Sequence, residues 1–114
     1  MSRRIIHETS STLHINGSLA LKFVTVAGPL SHTAGDEVVI LANTTGGDVT
    51  VDLPDAATVA GRVYYVKWAA GGSNLLAVDA FSSQQIDGSL TVSLGALNDR
   101  IKIMSDGSDW FILE

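Results

Sequence analysis

The stretch GDVTVDL (residues 47–53) decides the fold class, because apolar and polar side chains alternate strictly along it. Val49, Val51 and Leu53 share one side of an extended chain, while Thr50 and Asp52 share the other. Alternation with β-branched residues is typical of a strand with one buried face. The same pattern returns in SLTVSL (89–94) and RIKIM (100–104), so the sequence predicts an all-β protein.

Three other runs are apolar on both sides: EVVILAN (37–43), RVYYVKW (62–68) and WFIL (110–113). Such strands are covered on both faces or lie at a subunit interface. Turn-forming clusters separate the strands, namely NGS (16–18), TTGGD (44–48), AGGSN (70–74), DGS (87–89) and SDGSD (105–109). We therefore expect a compact antiparallel β-sandwich or a barrel-like meander. One short turn of helix is expected in PDAATVAG (54–61).

The chain also contains a candidate internal sequence repeat. GDVTVDL and GSLTVSL share the form G-x-(V/L)-T-V-x-L, and a strand, a turn and a second strand follow each. Residues 47–78 and 88–113 are therefore predicted to be two three-strand units. SDGSD occupies the position that AGGSN has in the first unit, and AGGSN has no carboxylate. This favours a hairpin turn over a calcium loop, which needs more ligands.

Composition excludes several classes of function. The chain has 114 residues, of which 46% are hydrophobic and 17% charged, against about 25% charged in an average domain. This favours burial of surface in an oligomer; the alternative is a monomer covered by Ser, Thr, Asn and Gln. A net charge of −5 without a basic stripe argues against nucleic-acid binding. There is no cysteine, and no apolar window is long enough to predict a membrane span.

Residues 1–16 are predicted to be an N-terminal arm, and residues 17–114 a single β-domain. No apolar core follows Arg3 and Arg4, so a signal peptide is not expected. Ile5 and Ile6 suit an extended segment that adds a strand to the sheet edge of a neighbour. The alternative is a disordered terminus.

Five segments occur in a characteristic order: TVDLP (50–54), GRVYYVK (61–67), VD (78–79), IDG (86–88) and SDGSDWFI (105–112). Together they resemble a module common in bacteriophage tail-fibre, tailspike and related virion proteins. The resemblance covers roughly residues 37–113, about two thirds of the chain. It implies a non-enzymatic, homotrimeric virion protein, assembled in the host cytoplasm, that decorates or stabilises the capsid or forms part of a tail or fibre. The implied partners are other copies, major capsid or tail proteins, and a host surface glycan.

Catalytic chemistry finds little support in the residue pattern. A glycosidase needs two facing carboxylates, and the aspartates lie beside turn signals except for Asp52 and Asp79. His7, His14 and His32 show neither H-x-H nor H-x-x-x-H spacing, so no metal site is predicted; the alternative is one histidine repeated around a threefold axis. No catalytic residue and no cofactor are predicted.

Aromatic and aliphatic residues supply the remaining candidates. Trp68 and Phe81 lie near loops, where exposed rings stack on sugars, so the alternative function is a carbohydrate-binding receptor-recognition module. The candidates for contact with other subunits or partners are Ile5, Ile6, Tyr64, Trp110, Phe111 and Leu113.

Overall fold

The computed structural model describes residues 16–114, which form short strands and a short 3-10 helix, Ala56–Thr58. The all-β class is confirmed. No helix within these residues is long and apolar enough to cross a membrane. The predicted arm, except for its last residue, lies outside the described residues. The strands are β1 (Phe23–Ala27), β2 (Leu30–Thr33), β3 (Val39–Asn43), β4 (Val49–Asp52), β5 (Val63–Ala70), β6 (Leu76–Asp79), β7 (Thr91–Leu94), β8 (Arg100–Ser105) and β9 (Trp110–Ile112).

The strands form two sheets: sheet A has the order β1-β3-β5-β8-β9, and sheet B has the order β2-β4-β6-β7. The first six strands alternate between the two sheets. The chain therefore winds as a flattened coil, in which each turn contributes one strand to sheet A and one to sheet B. Within each sheet these strands pair in parallel. The predicted antiparallel arrangement is wrong for this part of the chain. Both sheets are mixed, and they do not form a closed barrel.

The parallel pairing arises because glycine-rich clusters turn the chain between sheets instead of within one. TTGGD leads from β3 in sheet A to β4 in sheet B, and AGGSN leads from β5 to β6. Adjacent corners are bonded to each other, since Asn74 Nδ2 donates to the carbonyl oxygen of Thr44 at 2.7 Å. Turn composition predicts where a chain reverses, but it does not predict which strand the following strand will pair with.

The last three strands are antiparallel to their neighbours: β7 pairs with β6, β8 with β5, and β9 with β8. SDGSD joins β8 to β9, and Asp106 Oδ1 accepts the N–H groups of Ser108 and Asp109 at 2.9 Å. The predicted hairpin turn is confirmed. The two predicted units nevertheless differ in topology. Strands β4, β5 and β6 alternate between sheets, whereas β8 and β9 lie in the same one.

A single apolar cluster lies between the sheets, because alternate side chains of both sheets point inward. Tyr64 and Trp110 are its largest fully buried residues, and their ring centroids lie 5.8 Å apart. Asp55 caps the 3-10 helix, accepting the N–H of Ala57 at 3.0 Å. The predicted helical turn is confirmed, although Pro54 precedes the helix instead of starting it.

The loop between β2 and β3 contains a buried carboxylate, that of Glu37. His32 Nε2 donates to Glu37 Oε2 at 2.7 Å, and the N–H of Gly35 donates to both oxygens at 3.2 Å. Burial acts to raise the pKa of Glu37, but these hydrogen bonds outweigh it, so the pKa lies below its usual value of 4.5. Arg62 donates to the carbonyl oxygens of Gly35 and Glu37 and ties the loop to β5.

The substitution Glu37→Gln is expected to weaken the dependence of stability on acid pH. A carboxyl group with a lowered pKa contributes stability that is fully present above its unfolded pKa and is lost as the pH falls through its folded pKa. The urea midpoint of the unchanged protein should therefore fall more steeply between about pH 5 and pH 3 than that of Glu37→Gln. Asp36→Asn is the control: its pairing with Lys22 also lowers the pKa of Asp36, but both side chains are exposed, so solvent screening should keep its effect on the slope small. Equal slopes for Glu37→Gln and the unchanged protein would contradict the prediction.

Candidate functional site

The outer faces of the two sheets have opposite chemical characters. The strands of sheet B carry on their outer face only small side chains, all of them polar or acidic except Ala77: Ser31, Thr33, Thr50, Asp52, Ala77, Asp79, Thr91 and Ser93. The outer face of sheet A is largely apolar: Phe23, Thr25, Val39, Leu41, Val63, Tyr65, Lys67, Arg100, Lys102, Met104 and Phe111 point outward from it. The chain therefore has one polar face and one apolar face.

A shallow groove of about 240 Å³ crosses the outer face of sheet A. Its walls are apolar side chains, with Lys67 and Arg100 at one side. Leu21, just before β1, completes it, and Phe23 beside it is 62% exposed. The remaining lining residues are Val39, Leu41, Tyr65 and Val66.

A second apolar group lies on the same face, along β8 and β9. Met104 pairs with Phe111, which is 42% exposed, and Leu113 follows on the same side of the chain. Lys102 separates this group from the groove, and its Nζ lies 5.2 Å from the ring centroid of Tyr65. The face thus has two apolar regions with Lys102 between them.

A larger groove, of about 420 Å³, opens between the two sheets where β7 faces β8 and β9. Apolar side chains of both sheets form its floor: Val92, Leu94, Ile101 and Ile112. Asp99, Arg100 and Glu114 lie around its rim. Charges of both signs surround this opening, unlike the groove on sheet A.

Asp52 and Asp79 lie side by side on the outer face of sheet B, because β4 and β6 pair in parallel and in register. Burial raises the pKa of Asp52, and the charge of Asp79 adds to this effect. Thr91 Oγ1 donates to Asp79 Oδ1 at 2.7 Å. Asp52 and Asp79, the two aspartates that do not lie beside turn signals in the sequence, are therefore neighbours in the structure. They lie on an exposed sheet face, and neither groove described above includes them.

The structure contradicts one of the two sugar-stacking candidates. Trp68 is 2% exposed, and its Nε1 donates to Thr44 Oγ1 and to the carbonyl oxygen of Ala70. Its ring belongs to the core, because it takes the inward position on β5. Phe81 is 46% exposed, just after β6. The nearby amide of Gln84 is engaged with the loop that carries the 3-10 helix. Sugar stacking on Phe81 stays a prediction.

Two of the predicted interface residues lie in the core instead of on the surface. Tyr64 and Trp110 are fully buried in the core of the single chain, so their side chains offer no surface to a partner. Phe111 and Leu113 are exposed on the outer face of sheet A. Ile5 and Ile6 lie outside the described residues.

Sequence reasoning missed the residues that form the groove on sheet A, above all Leu41 and Tyr65. The signal was present, since EVVILAN and RVYYVKW are apolar on both sides. The pattern does not tell which side of such a strand faces the core. The choice became visible only once the partner strands were placed.

Comparison with known proteins leaves the chain without an assigned family. A scan against models of protein families gives no match, and a search of the curated proteins gives none either. The resemblance of residues 37–113 to phage virion modules therefore stays a prediction.

Proposed function

We propose that this chain is a non-enzymatic structural protein whose copies associate as a homotrimer through the outer face of sheet A. The observation that carries the proposal is the apolar character of that face. The five strands of sheet A present large aliphatic and aromatic side chains outward, while the four strands of sheet B present none. The scarcity of charge along the whole chain supports the same conclusion.

Burial of this face favours association. Burying a large apolar side chain completely contributes roughly 1.5–3 kcal/mol, and each copy presents several such residues. Phe23, Leu41 and Phe111 are partly or well exposed in the single chain. Association removes them from water without any change of fold. A closed, symmetric homo-oligomer is the usual result of such a surface.

The resemblance of residues 50–54, 61–67 and 105–112 to phage virion modules supports a trimer and a place in a virion. In that setting the protein decorates or stabilises a capsid or forms part of a tail or fibre. Its partners are further copies of itself and the major capsid or tail proteins. The polar face of sheet B then faces outward.

Light scattering after size exclusion tests the proposal directly. We expect a mass of about 36 kDa, three times the 12.0 kDa of one chain. Leu41→Glu places a charge in the groove, and we expect this variant to elute as a folded monomer. Thr50→Glu is the matched control, since the same side chain is added to the outer face of sheet B, and it should stay trimeric.

Circular dichroism confirms in each case that the variant is folded. A monomeric mass for the unchanged protein at micromolar concentration would rule out self-association. A trimer that survives Leu41→Glu but dissociates with Thr50→Glu would place the interface on the opposite sheet.

A further inference from the structure

We propose that the β9 end of one copy occupies the groove on sheet A of the next copy, so that Phe111 and Leu113 enter the groove and acidic groups beside β9 meet its cations. This inference rests on the proposed function, because it names the contact through which the copies associate. It commits to a second copy of the chain as the occupant of the groove.

The groove cannot be filled by β9 of the same chain. β9 pairs with β8, and β8 pairs with β5, so two strand spacings separate Phe111 from Tyr65. Side chains on one face of a sheet point in the same direction and do not fold back onto that face. Within residues 16–114 no segment covers Phe111 and Leu113, and the proposal gives that role to another copy.

The charges at the two regions are complementary. None of the five strands of sheet A contains Asp or Glu, and three cations, Lys67, Arg100 and Lys102, point outward from it. Within residues 16–114, the side chains of Lys67 and Arg100 form no salt bridge. Acidic residues instead surround β9: Asp87, Asp109 and Glu114.

The backbone groups at the outer edge of β9 are already hydrogen-bonded within the chain. Contact with another copy is therefore made by the side chains of β9, not by its backbone. The backbone N–H of Trp110 donates to the carbonyl oxygen of Gln85, and the backbone N–H of Asp87 donates to the carbonyl oxygen of Trp110. Addition of a further strand at this edge is therefore blocked. Phe111 and Leu113 remain exposed on the face beside it.

Charge also decides the symmetry of the contact. A twofold contact of groove on groove brings Lys67 and Arg100 of both copies together, which repulsion disfavours. A contact of β9 with the groove is heterologous: each copy gives one surface and receives the other. In the proposed homotrimer, three such contacts close the ring, which requires a rotation of one third of a turn between neighbouring copies. Glu114 can leave its own Lys102 at little cost, because they are 3.8 Å apart and the carboxylate is exposed.

Disulfide trapping tests this contact, since the natural chain has no cysteine. The variant carries Leu41→Cys and Leu113→Cys. Within one chain these positions are three strand spacings apart, about 14 Å, whereas a disulfide requires Cα atoms within about 7 Å. Any disulfide formed on air oxidation therefore joins two copies. We expect a covalent trimer on a non-reducing gel that returns to single chains on reduction.

The control replaces Thr50 and Leu113 with cysteine, which puts one thiol on the outer face of sheet B, and we expect no covalent trimer from it. Light scattering under reducing conditions checks assembly of every variant. A reduced trimer that gives no inter-chain disulfide overturns the proposed contact and leaves self-association intact. A monomeric unchanged protein overturns both.

Lys67→Glu provides a second measurement that does not depend on cysteine. It places a carboxylate where the acidic surroundings of β9 are proposed to dock. The dissociation constant of the trimer should rise at least about tenfold. An unchanged constant in this folded variant overturns the charge pairing.

Discussion

Replacing Trp110 with alanine is expected to lower the free energy of unfolding by about 3–5 kcal/mol. Trp110 is fully buried, and it packs against Tyr64 at the centre of the core. Within residues 16–114 its indole N–H has no hydrogen-bond partner, so the substitution breaks no polar contact. The whole loss is one of apolar contact and of the cavity left behind.

Urea unfolding followed by circular dichroism measures this loss. The experiment is best performed in the Leu41→Glu background, which we expect to be monomeric, so that unfolding is a reaction of one chain. Phe81→Ala is the control, because it removes another aromatic ring from an exposed position. That control should cost less than about 1 kcal/mol. Equal losses for the two variants would contradict the placement of Trp110 in the core.

Replacing Gly28 with alanine is expected to cost roughly 2–4 kcal/mol. Gly28 follows β1, at the corner where the first turn of the coil touches the second. A Cβ atom there would overlap the carbonyl oxygen of Gly47 and lie 2.7 Å from that of Asp48. Both groups are backbone, so neither can rotate away. The N–H of Gly28 also donates to the carbonyl oxygen of Asn43, which holds the two turns together.

Gly61→Ala is the matched control for this prediction. Gly61 has a φ of +85°, and apart from its two chain neighbours no residue within 16–114 would lie within 4 Å of an added Cβ. Alanine at this position should lower the free energy of unfolding only by the cost of its left-handed backbone conformation, about 1–2 kcal/mol. The urea midpoint should fall further for Gly28→Ala than for Gly61→Ala. The reverse order would show that the corner has room for a side chain.

Local patterns predicted much of this molecule correctly. The hairpin at SDGSD follows from residues within five positions of one another, and its carboxylate caps the turn as expected for Asp. The inward set of β4, Val49 and Val51, follows from alternation alone. In both cases the information lies in neighbouring residues.

The candidate site was predicted only in part. Phe111 and Leu113 are exposed, as an interface requires, whereas Tyr64 and Trp110 are in the core. Strand β5 shows why. Tyr64, Val66 and Trp68 occupy one side, and Val63 and Tyr65 occupy the other, so both sides are apolar. Hydrophobicity alone does not distinguish the core from a surface that binds another chain.

The sequence by itself determined the class of the fold, its turns and the strands from β3 onward, because alternation and turn chemistry act between residues close in the chain. Strands β1 and β2 were not predicted. Only the tertiary structure decided that β1, β3 and β5 lie parallel in one sheet, and β2, β4 and β6 in the other. It also decided that Leu41 faces outward while Ile40 is buried. Both outcomes depend on which distant strand lies alongside, and that contact is made only when the whole chain packs.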